Sequence, residues 1–148
     1  LAKMKKLEEW KNNPDSCVAL ILLIDQFPRN IYRNSYRAFA FDDYALDLCN
    51  YMINNNMITK LNSQIMIMFA LMPLQHSESI SDKSKLINIL NELNNGKSSK
   101  IYEQMINFTI QHQKVLEKYG KYPMRNYALG RISSPQELEY IKNNHKSF

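Results

Sequence analysis

Apolar residues recur at intervals of three and four along most of this chain, which is the spacing that puts side chains on one face of an α-helix. The clearest stretch predicts an amphipathic helix of about five turns that begins at Ser35. Its apolar positions are Ala38, Phe41, Ala45, Leu48 and Met52. We therefore predict an all-α fold.

Residues that begin or end helices divide the rest of the chain. Ser79 or Ser81 can accept the free amide hydrogen bonds at the start of one helix. Gly120 supplies the left-handed conformation that commonly ends a helix. Ser134 and Glu137 have the spacing of a capping box, in which each side chain bonds the other residue's backbone amide, and they predict a short last helix.

Two unbroken apolar runs, Cys17–Ile24 and Ile65–Met72, could each be a buried strand or a buried helix. We predict helices, because Ser16 can cap the first run and because Pro28 and Pro73 follow the two runs as helix breakers. Both runs are far shorter than the roughly 20 residues of a membrane span. The expected arrangement is six helices in three antiparallel pairs, forming one domain over residues 1–148.

Composition excludes several classes of protein. Three glycines in 148 residues cannot build the glycine-rich loops that cradle nucleotide phosphates. The net charge of +5 comes from basic residues spread along the chain, so we expect neither a nucleic-acid partner nor a membrane partner. Cys17 and Cys49 lack the spacing of a zinc site and are expected to be reduced core thiols of a cytoplasmic protein. We predict no metal and no cofactor.

Two carboxylates occupy positions where the apolar pattern predicts burial. Asp25 directly follows the first apolar run, and Asp42 falls on the apolar side of its predicted helix. Because an unpaired buried carboxylate is costly, each should have a partner. Arg29 and Arg33 follow Asp25 at intervals of four residues. The interpretations are a local ion pair that fastens the turn or a ligand site.

Three further residues are candidates for acid–base chemistry. His76 and Glu78 lie two residues apart in a predicted turn, and they could form an acid–base pair or a hydrogen bond that only stabilises the loop. His112 lies on the inward stripe of its helix, where a histidine with a satisfied hydrogen bond is the commoner arrangement.

The loop after Gly120 contains Arg125, Asn126 and Arg131, and it repeats the order aromatic, Pro, Arg, Asn that ends at Asn30, with one residue inserted after the proline. The chain otherwise uses Lys after Arg37. Because the planar arginine fork suits bidentate contacts with carboxylates or phosphates, these loops are candidate anion-binding segments.

Four segments together resemble a known family: Leu23–Arg33, Ala38–Ala40, His76–Glu78 and Tyr122–Arg131. Their order and spacing are similar to those of the uncharacterised domain-of-unknown-function family nine-two-four, over almost the whole chain. The resemblance implies a tetratricopeptide-like α-α superhelix, a right-handed stack of antiparallel helix pairs, and carries no established activity. It also leads us to expect that a helical segment of the family domain precedes Leu1.

This chain departs from the family pattern after Gly120, where Lys121 and Met124 replace an arginine and a histidine. A mechanism that needs a histidine at the position of Met124 is therefore not expected here.

In a stack of helix pairs, successive turns gather along shared edges, so we expect the turns Asp25–Arg33, His76–Glu78 and Tyr122–Arg131 to converge. We therefore predict a polar pocket with His76, Glu78 and His112 as candidate catalytic residues. The predicted ligand-binding residues are Asp25, Arg29, Asn30, Arg33, Arg125, Asn126 and Arg131. The expected partner is an anionic small molecule or an acidic peptide end. The alternatives are a hydrolase that uses His76 or Glu78 as acid or base, and an ion-pair network with only a structural role.

Overall fold

The structure, a computed structural model, describes residues 5–96 and 98–144, without the side chains of residues 5 and 6. Within these ranges all the regular structure is helical, as the spacing of apolar residues predicts. The α-helices are α1 Pro14–Ile21, α2 Phe27–Ile31, α3 Asp42–Asn54, α4 Gln64–His76, α5 Ile80–Asn94, α6 Lys100–Tyr119 and α7 Pro135–Asn143. Tighter 3-10 helices cover Lys5–Asn12, Tyr36–Phe39, Ile58–Lys60 and Pro123–Arg125.

The chain divides into two compact units, one formed by residues 1–33 and 37–74 and the other by residues 34–36 and 75–148. In the first unit α1 packs against α3, and its core contains Cys17, Ile21, Ala45 and Cys49 with no exposed surface. In the second unit α5 packs along α6, around Leu86 and other apolar side chains.

The first apolar run is helical, as predicted, but Pro28 does not end it. A π-helical turn, Leu22–Gln26, joins α1 to α2, and the Phe27 amide donates to the carbonyl of Leu22. Pro28 then stands in the first turn of α2, where a helix does not need its missing N–H. The helical path therefore continues to Ile31. Asn13, and not Ser16, caps its start, because the Asn13 side chain accepts from the amides of residues 15 and 16.

The predicted five-turn helix from Ser35 is interrupted. Residues Tyr36–Phe39 form a 3-10 turn, and α3 begins only at Asp42. Two carboxylates, those of Asp42 and Asp43, therefore stand in the first turn, where the positive end of the helix dipole favours negative charge. Periodicity places both segments on one apolar face and does not detect the break between them.

The second apolar run is also a helix, and Pro73 lies inside it. The prediction that Pro73 ends α4 is wrong, since the helix continues to His76. Leu71 and Leu74, on either side of the proline, have no exposed surface. Their burial compensates for the backbone hydrogen bond that the proline cannot make. The turn between α4 and α5 is consequently shorter than the sequence indicates.

The helix ends of the second unit confirm three predictions. The Ser79 side chain accepts from the Asp82 amide at the start of α5. Gly120 adopts a left-handed conformation, with a φ of 69°, at the end of α6. Ser134 and Glu137 form both hydrogen bonds of the capping box. These ends follow from residues only a few positions apart, which is why the sequence predicts them.

We expect Ser134→Ala to lower the free energy of unfolding by about 1 kcal/mol, because the Glu137 amide loses its hydrogen-bond acceptor. Urea denaturation followed by circular dichroism measures the change. The control is Gln136→Ala, an exposed site on the same helix, which should change the free energy by less than about 0.5 kcal/mol. Equal effects of the two substitutions would contradict a stabilising capping box.

Cys17 and Cys49 are buried thiols of the first unit, as predicted. Burial raises the pKa of the Cys17 thiol to about 11. Among the described helices, none combines the length and apolar character needed to cross a membrane.

Candidate functional site

The predicted buried carboxylates of the first unit share one arginine. Arg29 Nη2 lies 3.2 Å from Asp25 Oδ1 and 2.8 Å from Asp42 Oδ1. Arg29 Nε adds a 3.3 Å bond to the same oxygen of Asp25. The Asp25 side chain is almost wholly buried, whereas that of Asp42 is about one quarter exposed. Each carboxylate therefore has the cationic partner that the sequence predicts.

The surroundings of Arg29 match the ion-pair interpretation. Its guanidinium carbon lies 5.2 Å from the centre of the Phe39 ring, and Gln26 Nε2 donates to the second oxygen of Asp25 at 2.6 Å. Arg29 Nη1 is buried and has no hydrogen-bond partner among the described residues. Two carboxylates already balance the charge of Arg29, so a further anion would meet net negative charge at this point.

Two other predicted ligand residues of the first unit lie outside this cluster. Asn30 is exposed, and its side-chain amide donates to the carbonyl of Gln26 within the same helical path. Arg33 is also exposed. Ligand binding by Asn30 and Arg33 therefore stays a prediction.

In the second unit, Glu78 joins the turn after α4 to the loop after α6. Arg131 donates two hydrogen bonds to the Glu78 carboxylate, Nη1 to Oε1 at 2.9 Å and Nη2 to Oε2 at 2.6 Å. The Tyr122 amide donates to Oε1 at 2.7 Å. The predicted convergence of the His76–Glu78 turn with the Tyr122–Arg131 loop is therefore present within this unit.

The ionisation of Glu78 follows from these contacts. Burial alone would raise its pKa, but hydrogen bonds from Arg131 and the Tyr122 amide, with the charge of Arg125, outweigh burial and lower the pKa below its ordinary value. A carboxylate held in this way is a weak proton acceptor near neutral pH. A role for Glu78 as general base stays a prediction that this geometry does not favour.

Lys83 is a buried cation that the sequence reasoning missed. It has no exposed surface, and its ammonium donates to the carbonyls of Gln75 and Ser77, both at 2.6 Å. These carbonyls lie at the end of α4, where the helix dipole favours positive charge. A signal was available, because Lys83 lies three residues before the buried Leu86 on the apolar side of α5.

Two cations lie near the same buried tyrosine ring. The Arg125 guanidinium carbon is 4.8 Å from the centre of the Tyr122 ring, and the Lys83 ammonium is 5.6 Å from it. Tyr122 has no exposed surface and Arg125 only 5%. Burial, and next the charge of Arg125, lower the pKa of Lys83 to about 7. Lys83, Arg125 and Tyr122 are called the cation cluster below.

His112 lies beside the cation cluster. Its ring contacts that of Tyr122 edge to face, with centres 5.5 Å apart, and its Nδ1 bonds the carbonyl of Phe108 at 2.8 Å. Burial lowers its pKa to about 4, with smaller contributions from the charges of Lys83, Arg125 and His76, although the Phe108 bond opposes them. His112 is therefore a neutral, hydrogen-bonded core histidine near pH 7. His76 is half-buried at the end of α4.

Asn126, another predicted ligand residue, fastens the loop to α7. Its amide nitrogen donates to Ser133 Oγ at 3.0 Å and to Glu137 Oε2 at 3.5 Å. Glu137 also pairs with Lys121 at 3.2 Å. These contacts use Asn126 to hold the loop in place.

A further buried amide was missed beside the cation cluster. The side chain of Gln75 lies within hydrogen-bond distance of the Thr109 hydroxyl, 2.6 Å away, and Thr109 also bonds the carbonyl of Met105. Gln75 and Thr109 lie far apart in the sequence, so sequence spacing does not predict this contact. Among the described residues there is no group of three or more histidine, cysteine or acidic side chains placed to hold a metal ion.

Comparison with known proteins agrees with the four motif segments. Residues 1–145 match the family described as "Bacterial protein of unknown function (DUF924)". The chain belongs to this family. The resemblance inferred from the sequence is thus confirmed, and no curated protein matches the DUF924 chain.

A solved structure similar to this DUF924 chain is that of the protein of unknown function ATU0120 from Agrobacterium tumefaciens. The two are 26% identical, with a TM-score of 0.83 over 97% of this chain and 76% of the other. Neither comparison names a ligand or a reaction for DUF924. The function has to be argued from the side chains themselves.

Proposed function

We propose that the second unit binds a small anion, such as a carboxylate or an inorganic oxyanion, at the cation cluster. The observation that carries the proposal is the placement of two buried cations, Lys83 and Arg125, near one ring, that of Tyr122. Burying like charges near each other is unfavourable. The charges of Asp82 and Glu78 favour the charged form of Lys83, but burial and Arg125 outweigh them, and an anion bound to both cations would offset the repulsion further. The proposal thereby assigns the anionic ligand that the loop arginines led us to expect to particular residues.

The protonation of Lys83 supports the same function. With a pKa of about 7, the lysine is only partly charged at neutral pH, because burial and Arg125 disfavour the ammonium form. A bound anion would favour that form and raise the pKa again. Binding is therefore expected to take up a proton and to weaken as the pH rises.

The turn after α4 lies next to the cation cluster. Its residues Ser77 and Glu78 are half-buried, so this edge of the unit meets solvent. The Lys83 ammonium is bonded to the carbonyl of Ser77. Because Arg131 already neutralises Glu78, the carboxylate at the edge is a weaker obstacle to an incoming anion than a free one.

The hydrolase alternative has less support. Glu78 is held as a carboxylate with a lowered pKa and His112 as a neutral core residue, so neither is poised to transfer protons near pH 7. His76, half-buried at the end of α4, stays the candidate acid or base of this alternative. The tetratricopeptide-like stack is also a proposal, supported by the packing of α5 against α6, which are joined by a short connection.

Calorimetric titration with sulfate and with acetate tests the anion site, since neither probe changes its charge between about pH 6 and 8.5. We expect saturable binding, weakened by about tenfold or more at the higher pH because Lys83 then loses its proton. Arg125→Gln should weaken binding by about tenfold or more. The control Lys114→Met removes an exposed lysine of α6 and should leave the affinity unchanged.

Lys83→Arg separates a ligand contact from a purely structural role. The guanidinium stays charged throughout this pH range, so the variant should still bind sulfate but lose the pH dependence. Thermal unfolding checks that each variant is folded. Absence of binding in the folded wild-type protein, or an unchanged pH dependence in Lys83→Arg, would overturn the proposal.

A further inference from the structure

The helical path through the π turn presents large apolar side chains outward. Leu23, Phe27 and Ile31 are 37%, 52% and 67% exposed. On the opposite side Ile24 and Asp25 are buried. A helix that is apolar on all sides is normally enclosed by protein, and here one side is open. Leu23, Phe27 and Ile31 are called the apolar stripe below.

The π turn keeps the apolar stripe straight. Four residues make slightly more than one turn of an α-helix, so side chains at that spacing drift around the axis. A π turn holds more residues, so the four-residue step from Leu23 to Phe27, most of which lies in the π segment, falls short of a full turn. The two deviations oppose each other, and Ile31 remains in line with Leu23.

The exposed charged side chains between residues 22 and 41 are both positive, and Asp42, about one quarter exposed at the start of α3, is paired with Arg29. Between residues 22 and 41 the one acidic residue is Asp25, which is buried against Arg29. Arg33 and Arg37 are exposed, and the Arg37 guanidinium lies 5.8 Å from the ring of Tyr32, which extends the apolar surface at the Ile31 end.

We infer that the apolar stripe docks an amphipathic helix of another protein, with acidic residues placed to meet Arg33 and Arg37. Exposed apolar side chains in line on one helix fit the face of a second helix, which would remove them from water. The arginines then select an acidic partner by charge complementarity. A second copy of this chain fits less well, because it brings the same arginines and a net charge of +5.

The test uses a fluorescein-labelled synthetic helix with leucines at i, i+3, i+4 and i+7, flanked by glutamates, and a matched peptide with lysines in place of the glutamates. By fluorescence anisotropy at low salt, the acidic peptide should bind about tenfold or more tightly than the basic one. The double variant Arg33→Glu, Arg37→Glu should reverse this preference. Equal binding of both peptides by wild type would overturn the charge argument.

Substitutions on the apolar stripe test the surface itself. Phe27→Ser and Ile31→Ser, made separately, should each weaken binding of the acidic peptide by about tenfold. The control Ile132→Ser changes a 93% exposed side chain of the second unit and should leave binding unchanged. Circular dichroism verifies folding. Unchanged affinity in both stripe variants would overturn the inference, as would a dimer in sedimentation that Ile31→Ser dissociates.

Discussion

Replacing Arg29 by methionine is expected to lower the free energy of unfolding by about 3–5 kcal/mol. The substitution keeps an apolar side chain of similar length but leaves the buried Asp25 and the nearby Asp42 without their shared cation. Two adjacent carboxylates would then lose the cation that they share, in a poorly solvated place. Chemical denaturation of the purified variant measures the loss.

Three companion variants show whether the loss comes from the shared ion pair. Arg33→Met, at an exposed arginine one helical turn later, should cost less than about 0.5 kcal/mol. Arg29→Lys should fall between the two, because an ammonium lacks the fork that reaches both carboxylates. Adding Asp42→Asn to Arg29→Met should recover part of the stability. A loss below about 1 kcal/mol in Arg29→Met would contradict the structural role and favour a ligand role.

Removing the carboxylate of Glu78 is expected to cost about 2–4 kcal/mol in Glu78→Ala. The variant leaves the Tyr122 amide without an acceptor and Arg131 without its two charged bonds. Partial exposure of the pair keeps the expected loss below that of a fully buried one. Urea denaturation at neutral pH measures it, with the exposed Glu92→Ala on α5 as the control.

The acid dependence of the same variant gives a second measurement. The folded pKa of Glu78 is lowered, so its stabilisation is complete above the unfolded value of about 4.5 and is lost as the pH falls through the folded value. The stability difference between wild type and Glu78→Ala should therefore shrink below about pH 4.5. A difference that stays constant down to about pH 3 would show that the charge of Glu78 does not stabilise the fold.

These experiments separate two kinds of polar cluster in one chain. The contacts of Arg29 and of Arg131 balance each arginine with carboxylates, which is typical of ion pairs that hold turns together. In the cation cluster, Lys83 and Arg125 lie near one tyrosine ring, and the charge of Arg125 also acts on Glu78. The first arrangement predicts large losses of stability on mutation, and the second predicts loss of a bound anion. The convergence of the Asp25–Arg33 turn with the His76–Glu78 and Tyr122–Arg131 turns stays a prediction.

The sequence identified buried charged residues more reliably than it identified the residues that they contact. A charge on an apolar face correctly marked Asp25 and Asp42, and the same criterion applied to α5 would have marked Lys83. It did not show that Asp42 and Asp25 share Arg29, because that contact joins residues of separate helices. It also did not show that Glu78 is held by Arg131, far along the chain.

The helical class and three helix ends of the second unit were determined by the sequence alone, because a helix and its caps depend on hydrogen bonds between residues about four positions apart. Gly120 and the Ser134 capping box are such local signals. Only the tertiary structure decided that the helical path passes Pro28 and Pro73. A π-helical turn leads into Pro28, which stands where a helix does not need its N–H, and burial of Leu71 and Leu74 offsets the hydrogen bond that Pro73 lacks. It likewise decided which charges pair, because ion pairs depend on distances in space that local spacing does not contain.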